Sequence, residues 1–515
     1  MFLGIIVSSL CLIPRIDLGF HSGQYLWAED GNVFINQVHE LGMYSLWTPY
    51  AGYLHIYPRL IMLFGSFFDL KSQVDISLWA WFLAYFFMIF TIISAAYRFR
   101  LSILSICALV AVISLQPNTG EVFFNITNAQ WMLGAALSIY VFAFEDQRPT
   151  LLHCFVLSIL CLTGPFSIMI FPIVLINNFF KKTIEQNIIT IFIIFIGALI
   201  QILILLNSGR IATGLVSHDL MLWFHALFSM LLFRLHEKNL AIIVGIFFWI
   251  LFVVALVFAY RDKSIEAINR YRVSILFLMA AIINIVAALY ALKSDLNTVI
   301  TSDEACRFNW IPCTLIFISA IIVSTDLKKL RFLMIICIGT ICIFLIKPID
   351  RLDLQFPSYA NFSKYERVII PINPQVSSYP GFSIDSSSIQ EDSKLNISEK
   401  SIEYILIDKN GQTLDNLKPS AIIDPQDLIL MSKERIECQN ASDVGVDIEM
   451  NHKEGWIQFF WSESRKISTQ SLSRFYPSGR IKAQFAFPNK KGGAYIQLAP
   501  LSLSGNVKIV AYCLP

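Results

Sequence analysis

Residues 188–206 read IITIFIIFIGALIQILILL and contain no charged side chain. A helix needs about 20 consecutive apolar residues to cross the hydrocarbon core of a bilayer, so this stretch predicts a transmembrane helix. The whole chain has the same bias: 56% of its 515 residues are hydrophobic and 15% are charged. Because an ordinary soluble domain has about 25% charged residues, a wholly soluble protein is excluded.

Ten further apolar runs, several of them shorter, extend this pattern along the chain. Together they predict about eleven transmembrane helices and define a multi-span α-helical membrane domain at residues 1–347. The eleven runs are 2–14, 76–97, 101–116, 129–144, 150–163, 166–180, 188–206, 240–260, 273–292, 310–325 and 332–347. The first run has no basic stretch before it and no small-residue cleavage site after it, so we expect a helix rather than a signal peptide.

Basic residues are distributed unequally among the short connections between the runs. Lys and Arg concentrate at residues 98–100, 181–182, 261–272 and 328–331, which fall on alternate connections. Since basic residues favour the cytoplasmic side of a membrane, these connections are predicted to be cytoplasmic. The N-terminus is then cytoplasmic as well, and the long loops and the C-terminal residues face outward.

The outer loops contain predicted helices of their own. Residues 32–46 and 219–236 interleave large apolar side chains with polar ones at helical spacing, which is typical of helices lying in the membrane interface. Residues 58–68 predict another such helix or a re-entrant segment. A plug that closes the mouth of the helix bundle would explain the same pattern.

Residues 348–515 have a different character, being polar, rich in serine and mixed in charge. Short alternating runs such as Trp456–Trp461 and Ala483–Phe487, separated by turns with Asn-Gly or Pro-Ser-Gly, predict a mostly-β extracytoplasmic domain. Two of the ten cysteines, Cys438 and Cys513, lie in this domain. An oxidising compartment would join them in a disulfide, and two unpaired thiols are the alternative.

Charge and motifs exclude several classes of protein. The 39 basic and 37 acidic residues give a formal net charge of +2, without the long basic stripe of a nucleic-acid-binding protein. The sequence contains no Walker loop, no dinucleotide-binding fingerprint and no Gly-x-Ser-x-Gly motif. Chemistry driven by a nucleotide on the cytoplasmic side is therefore not expected.

The first outer loop contains the segment Trp27-Ala28-Glu29-Asp30-Gly31. A carboxylate close to lipid is costly unless it is paired or lines a polar cavity, so two adjacent acids argue for a function. Glu29 and Asp30 are candidates for a general base that removes the proton of an alcohol acceptor. The alternative is that one of them caps an interfacial helix beginning at Gly31.

These features together resemble the GT-C superfamily of integral membrane glycosyltransferases. The shared features are the many spans, an acidic pair in a long first outer loop, interfacial helices and a soluble C-terminal domain. Within this superfamily, residues 27–31 and the segment Pro49-Tyr50-Ala51-Gly52-Tyr53-Leu54-His55 are similar to those of bacterial and phage-borne serotype-converting glucosyltransferases, which modify O-antigen. The architectural resemblance covers the whole chain, whereas the sequence resemblance is confined to these short motifs.

The resemblance implies an inverting enzyme of the bacterial inner membrane that acts on the periplasmic face. It would transfer a sugar, with glucose as first choice, from a polyprenyl-phosphate donor to a lipid-linked O-antigen acceptor, and it would need no cofactor. The implied partners are membrane lipid, a flippase and a polyprenyl-phosphate sugar synthase.

A phosphate leaving group requires a nearby cation, and arginine suits this role because its planar fork matches phosphate oxygens. Arg307 is the first choice, because Arg307-Phe308-Asn309-Trp310 opens a predicted span. Arg59 and Arg210 follow it, and Arg234 and Lys293 lie on the same side. The alternative for Arg307 is an ordinary arginine that reaches from a helix end to the interface.

Contacts to the sugar or the acceptor are expected from residues of the outer loops, namely Trp27, Tyr53, His55, Glu121 and Asn125. Glu121 and Asn125 precede Trp131, so that hydrogen bonds and ring stacking could line a sugar site, although a solvated turn would look the same. The outer histidines form no close pair with a credible third ligand, so no metal site is predicted.

The main alternative function is a transporter or flippase of lipid-linked glycans. Such proteins usually contain internal repeats or broken helices near the membrane midplane. No clear repeat is present here, and the polar residues gather on one face. A membrane acyltransferase is a weaker alternative, because His153 is the only histidine inside the predicted bundle and has no obvious partner.

Overall fold

The computed structural model describes residues 1–16, 26–116, 120–145, 149–208, 219–233, 239–301, 307–345, 351–365, 367–374, 381–382, 398–407, 429–438, 441–452, 455–462, 471–476, 478–489, 493–499 and 507–514. The chain divides into two compact units. The helical unit comprises Met1–Phe20, Tyr44–Phe64 and Ile76–Asp350, and the β-rich unit comprises His21–Met43, Gly65–Asp75 and Arg351–Pro515. Parts of the first loop thus belong to the β-rich unit, which a hydropathy profile cannot reveal because it reports no long-range contacts.

Helices account for nearly all of the regular structure before residue 346. They are α1 (Phe2–Leu12), α2 (Asn36–Leu41), α3 (Ile56–Gly65), α4 (Leu70–Arg98), α5 (Ile103–Ser114), α6 (Ala129–Ala143), α7 (Leu151–Cys161), α8 (Phe166–Lys181), α9 (Ile188–Asn207), α10 (Leu220–Leu231), α11 (Asn239–Arg261), α12 (Ile265–Ala291), α13 (Leu296–Thr301), α14 (Trp310–Val323) and α15 (Lys328–Leu345). Each apolar run predicted from the sequence coincides with one of these helices.

Among the described residues, four helices are long and apolar enough to cross a membrane. They are Leu70–Arg98, Ile188–Asn207, Ile242–Arg261 and Ile265–Ala291. Several further apolar helices are shorter, including α5, α6 and α7. The helical architecture and the membrane character of the chain follow from these lengths.

Side-chain caps fix where several helices begin. The hydroxyl of Ser102 accepts a hydrogen bond from the backbone N–H of Ser105 at the start of α5, and Ser264 does the same for Ala267 in α12. Thr150 and His153 form a reciprocal capping box at the start of α7. His153, the histidine considered for an acyltransferase, is thus engaged in capping a helix.

Helices α12 and α14 pack closely through two small polar residues. The Ser274 hydroxyl donates to the carbonyl of Ser319 at 3.1 Å, and the Ser319 hydroxyl donates back to the carbonyl of Ser274 at 2.9 Å. Both serines are fully buried. Small residues allow such close approach of apolar helices, and their hydrogen bonds hold the pair together.

The β-rich unit contains nine described strands in two antiparallel sheets. The strands are β1 (Ser398–Ser401), β2 (Tyr404–Ile407), β3 (Ile429–Ser432), β4 (Asp443–His452), β5 (Gly455–Ser462), β6 (Ser471–Tyr476), β7 (Gly479–Pro488), β8 (Tyr495–Ala499) and β9 (Lys508–Leu514). One sheet has the order β1-β9-β4-β7 and the other β2-β3-β8-β5-β6. The Phe459 and Phe485 rings stack between the sheets with centroids 4.4 Å apart, which confirms a mostly-β C-terminal region built as a sandwich.

Two further features consolidate this sandwich. Helix α16 (Phe356–Phe362) packs on β4 and β7, and the Tyr359 hydroxyl donates to the carbonyl of Gln484 at 3.2 Å. Cys438 and Cys513 are joined by a disulfide, with their Cα atoms 5.3 Å apart. This is the pair expected from the sequence.

Candidate functional site

The acidic pair of the first loop lies at the start of a π-helix, Asp30–Ile35, in the β-rich unit. Glu29 occupies the N-cap position but makes no side-chain hydrogen bond to the N–H groups of the first turn. Asp30 is buried, with 1% of its surface exposed, whereas Glu29 is half-buried. Both carboxylates have other interactions in the structure. The Glu29 side chain therefore does not cap this helix, although capping was the structural alternative to a catalytic role.

Tertiary packing holds the π-helix in place. A Cβ atom at Gly31 would lie 2.5 Å from Cδ1 of Phe382 and 3.0 Å from Cγ2 of Ile372, distances that a side chain cannot occupy without displacing its neighbours. Short π-helical turns within helices are rare and occur frequently at functional sites. The position of Glu29 thus depends on residues more than 300 positions away, which no local motif encodes.

Trp27, predicted as a sugar contact, is positioned by the same unit. Its backbone forms a parallel bridge with Asn373, and the Arg351 guanidinium carbon lies 4.9 Å from the centroid of its ring. A cation over an aromatic face is attracted by the ring quadrupole. One face of Trp27 is therefore already occupied by Arg351.

The motif that contains Tyr53 and His55 forms a tight turn in the helical unit. Tyr50 and Tyr53 exchange backbone hydrogen bonds across Ala51 and Gly52, both of which have positive φ angles of 50° and 86°. The His55 ring, 2% exposed, lies with Nε2 3.1 Å from the carbonyl of Tyr50. The aromatic motif thus builds the turn, and His55 closes it.

Contacts to two other elements fix this turn. The Gln201 amide of α9 accepts from the N–H of Leu54 at 2.9 Å and donates to its carbonyl at 3.3 Å. The N–H of Gly164 also donates to the carbonyl of Leu54, at 2.9 Å. The segment 53–57 is consequently held between α9 and the 162–164 turn.

Arg59 follows this turn on α3 and is 1% exposed. Burial lowers the pKa of its guanidinium to about 10, so the group remains cationic at neutral pH. Arg59 therefore retains the charge that phosphate binding requires.

Arg307 and Glu121 lie together in the helical unit. Nη1 of Arg307 is 3.5 Å from Oε2 of Glu121, and 34% and 14% of the two side chains are exposed. The sequence predicts a phosphate contact for the first and a sugar contact for the second. The ion pair brings these two predicted site residues together in one partly accessible cluster.

The loop that carries Glu121 is fixed by asparagines. The Asn125 side chain donates to the carbonyls of Glu121 and Phe123 and accepts from the N–H of Asn128. Asn125 is buried, and these bonds use its hydrogen-bonding capacity within the loop. These bonds shape the loop around Glu121, and the sugar contact expected of Asn125 stays a prediction.

Two aromatic side chains, Trp131 and Phe308, lie next to this ion pair. The Trp131 indole N–H donates to the side-chain oxygen Oδ1 of Asn128 at 3.0 Å, and its ring meets Phe308 edge-on with centroids 5.4 Å apart. Phe308 lies 5.5 Å from the guanidinium carbon of its neighbour Arg307. Aromatic rings beside a carboxylate and an arginine provide both stacking and hydrogen bonding for a sugar.

Sequence reasoning missed two polar atoms beside Arg307. The Asn309 side-chain oxygen and the Trp310 indole nitrogen are shielded from solvent and have no hydrogen-bond partner among the described residues. An unpaired buried donor or acceptor raises the free energy of the folded state, so such atoms are often hydrogen-bonded to a ligand or a water molecule. The Arg-Phe-Asn-Trp motif was the available signal, although only its arginine was singled out.

Arg15 is a buried cation that sequence reasoning missed. It lies directly after α1 and is 1% exposed, and it donates to the backbone carbonyls of Ser114 and Gln116. Its guanidinium carbon is 4.1 Å from the centroid of Phe123. These contacts tie α1 to the end of α5 and give Arg15 a structural role.

Arg210 and Arg234, named as cations on the side of the donor phosphate, lie outside the described ranges, as do the outer histidines His218 and His236. Within the described ranges, no three His, Cys, Asp or Glu side chains are grouped as metal ligands would be. No family model, curated protein or solved structure matches the chain.

Proposed function

We propose that the protein is an inverting glycosyltransferase that moves a sugar from a polyprenyl-phosphate donor to a lipid-linked glycan. The observation that carries the proposal is the half-buried Glu29, which occupies an N-cap position without capping the π-helix behind it. A carboxylate held by tertiary packing, and not used for capping, suits a general base. Glucose is the proposed sugar, and O-antigen is the proposed acceptor.

The proposal includes a membrane topology. Eleven helices span the inner membrane, the N-terminus is cytoplasmic, and the β-rich unit is periplasmic. Support comes from the four long apolar helices and from the basic residues on alternate connections. The disulfide Cys438–Cys513 in the β-rich unit fits an oxidising compartment.

The reaction needs a base, an acceptor and a stabilised leaving group. The Glu29 carboxylate takes the proton of an acceptor hydroxyl, whose oxygen attacks the anomeric carbon from the face opposite the phosphate. The bond between that carbon and the phosphate oxygen breaks, and the electron pair leaves with polyprenyl phosphate. A cation offsets the phosphate charge, so the leaving group departs without protonation.

Burial separates the roles of the two acids. A base must touch the acceptor, and Glu29 is the more accessible of the pair. Asp30, at 1% exposure, is enclosed by the fold and acts as a positioning residue for the π-helix. Glu29→Gln should therefore reduce the transfer rate by about 10²–10⁴-fold, the usual cost of losing a positioned base.

The test uses the full-length protein in liposomes with polyprenyl-phosphate glucose and a lipid-linked acceptor. Glu29→Gln and Asp30→Asn keep the shape of each side chain, and Glu40→Gln is the matched control because Glu40 is an exposed acid on α2 of the same unit. We expect Glu29→Gln to lose transfer at normal abundance and Glu40→Gln to retain it. Asp30→Asn should lower thermal stability, by about 1–3 kcal/mol, together with activity.

Wild-type transfer rates in Glu29→Gln would refute its role as base. Translocation of the donor lipid without any transfer by the wild-type protein would refute the enzymatic proposal and favour a flippase.

A further inference from the structure

A charged cavity lies in the helical unit where α4 and α6 end and α12 begins. Its volume is about 280 Å³, and its charged lining consists of Arg98, Arg100, Glu145, Glu266, Arg270 and Arg272. Helix α6 separates it from the Arg307 cluster, because Asn128 and Trp131 are at one end of this helix and the cavity is at the other. A helix of this length spans about 22 Å.

The acids of this cavity are already neutralised by neighbours. Glu145 accepts from Lys181 at 2.8 Å and Asn177 at 2.7 Å and also pairs with Arg272. Only 6% of its side chain is exposed. The carboxylate therefore does not repel an incoming anion as an isolated acid would.

The second acid is shared between two arginines. Glu266 lies 2.7 Å from Arg100 and 3.9 Å from Arg270, and Arg270 also pairs with the exposed Asp326. Four arginines against two glutamates leave the lining with a formal charge of +2. Low-dielectric walls concentrate the potential of such a cleft and favour an anionic ligand.

Two local details indicate that these arginines serve more than the fold. The Arg272 Nε atom is shielded from solvent and has no hydrogen-bond acceptor among the described residues. Arg100 has a φ of 59°, a left-handed conformation that favours glycine at the end of a helix. A costly backbone conformation thus keeps an arginine side chain at the cavity.

Exposed apolar side chains lie close in the chain to residues that line the cavity. Leu104 at the start of α5 is 80% exposed, and Ile265 and Ile268 at the start of α12 are 78% and 50% exposed. These helices are among the apolar helices of the chain, so acyl chains can cover such side chains. The start of α12 thus carries both residues that line the charged cavity and exposed apolar side chains.

We propose that this cavity binds the phosphate of an anionic lipid headgroup. Arginines between helices on the cytoplasmic side commonly bind anionic headgroups, and this cavity lies among the basic connections predicted to be cytoplasmic. The cavity is small enough for a headgroup, with the acyl chains lying outside along α5 and α12. The site is independent of the glycosyl-transfer proposal.

The test is native mass spectrometry of the full-length protein with dioleoyl phosphatidylglycerol, dioleoyl phosphatidylcholine or sodium phosphate. Arg98→Gln with Arg100→Gln removes two exposed cations of the lining and keeps Lys181, Asn177 and Arg272, which contact Glu145. Lys328→Gln with Lys329→Gln is the matched control, because these exposed cations of α15 lie outside the lining. We expect the arginine variant to bind phosphatidylglycerol about tenfold or more weakly and the lysine variant to bind it normally.

A further variant tests whether binding requires the planar guanidinium of Arg272. Arg272→Lys keeps the charge but loses Nε and the planar guanidinium, so an intermediate affinity is expected. Equal losses in the arginine and lysine variants would overturn the proposal in favour of general surface attraction. Equal binding of the two lipids, or binding of sodium phosphate that displaces phosphatidylglycerol at equal concentration, would overturn the lipid assignment.

Discussion

Arg307 is well placed to bind a second anion. Its ion pair with Glu121 involves Nη1, and a guanidinium carries five N–H donors in a rigid fork. The unpaired polar atoms of Asn309 and Trp310 follow it directly in the chain, at the start of α14. We therefore expect Arg307 to contact the donor phosphate.

Replacing Arg307 should weaken donor binding in a graded way. A hydrogen bond to a charged group contributes about 1.5–3 kcal/mol, so Arg307→Ala should raise the KM for the donor lipid by about 10-fold or more. Arg307→Lys keeps the charge but not the bidentate fork and should be affected less. Transfer rates measured at several donor concentrations give both values.

Arg261→Ala is the control, because Arg261 is an exposed arginine at the end of α11. If Arg307→Ala shows the donor dependence of the wild-type protein, Arg307 is not a phosphate ligand and Arg59 becomes the next candidate.

At the level of elements, α9 acts as a support for the first-loop turn. Gln201 is fully buried and makes two hydrogen bonds to the backbone of Leu54. The turn in question carries Tyr53 and His55 and leads into α3 with Arg59. A single polar residue in an apolar helix thus sets the position of three predicted site residues.

Gln201→Leu should loosen this turn while leaving α9 intact. Leucine cannot pair with the Leu54 backbone, and unpaired buried groups cost about 1–3 kcal/mol. We expect faster hydrogen exchange at residues 53–57 and a lower transfer rate. Ile202→Leu is the control on the same helix, and unchanged exchange in Gln201→Leu would contradict this account of the turn.

Helices and strands were easier to predict than the tertiary contacts between them. The apolar runs marked the helices because burial in lipid leaves a strong compositional signal, and the alternating runs marked strands such as β5 and β7. The π-helix at Asp30 was not predictable, since it depends on the packing of Gly31 against Phe382. The same holds for Arg15, whose carbonyl partners lie about 100 residues further along the chain.

Within the candidate site, residue type was more predictable than residue role. Glu121 and Arg307 were both singled out, but their ion pair was not, because the two positions are distant in sequence. The hydrogen bonds by which Asn125 shapes its own loop were not predicted, and its contact to a sugar stays a prediction. A sequence reports which groups are present, whereas hydrogen-bond partners depend on the fold.

For the molecule as a whole, the disulfide Cys438–Cys513 closes a loop of the β-rich unit with a sequence separation of 75 residues. In the chain-entropy model such a cross-link stabilises the folded state by about 2–4 kcal/mol. Cys438→Ser with Cys513→Ser should therefore lower the thermal stability of the β-rich unit. Alkylation of the unreduced, denatured protein and peptide mapping check the bond itself.

Cys107→Ser, a change of a free cysteine on α5, is the control and should leave stability nearly unchanged. Labelling of both Cys438 and Cys513 before reduction would show that the bond does not form in the purified protein.

The anomeric configuration of the product is the decisive measurement for the proposed inverting sugar transfer. The full-length wild-type protein would be incubated in liposomes with polyprenyl-phosphate glucose of defined anomeric configuration and a lipid-linked O-antigen acceptor. We expect a glycosylated acceptor whose new linkage, determined by nuclear magnetic resonance, has the configuration opposite to that of the donor. An unmodified acceptor, or a product with the configuration of the donor, would contradict it.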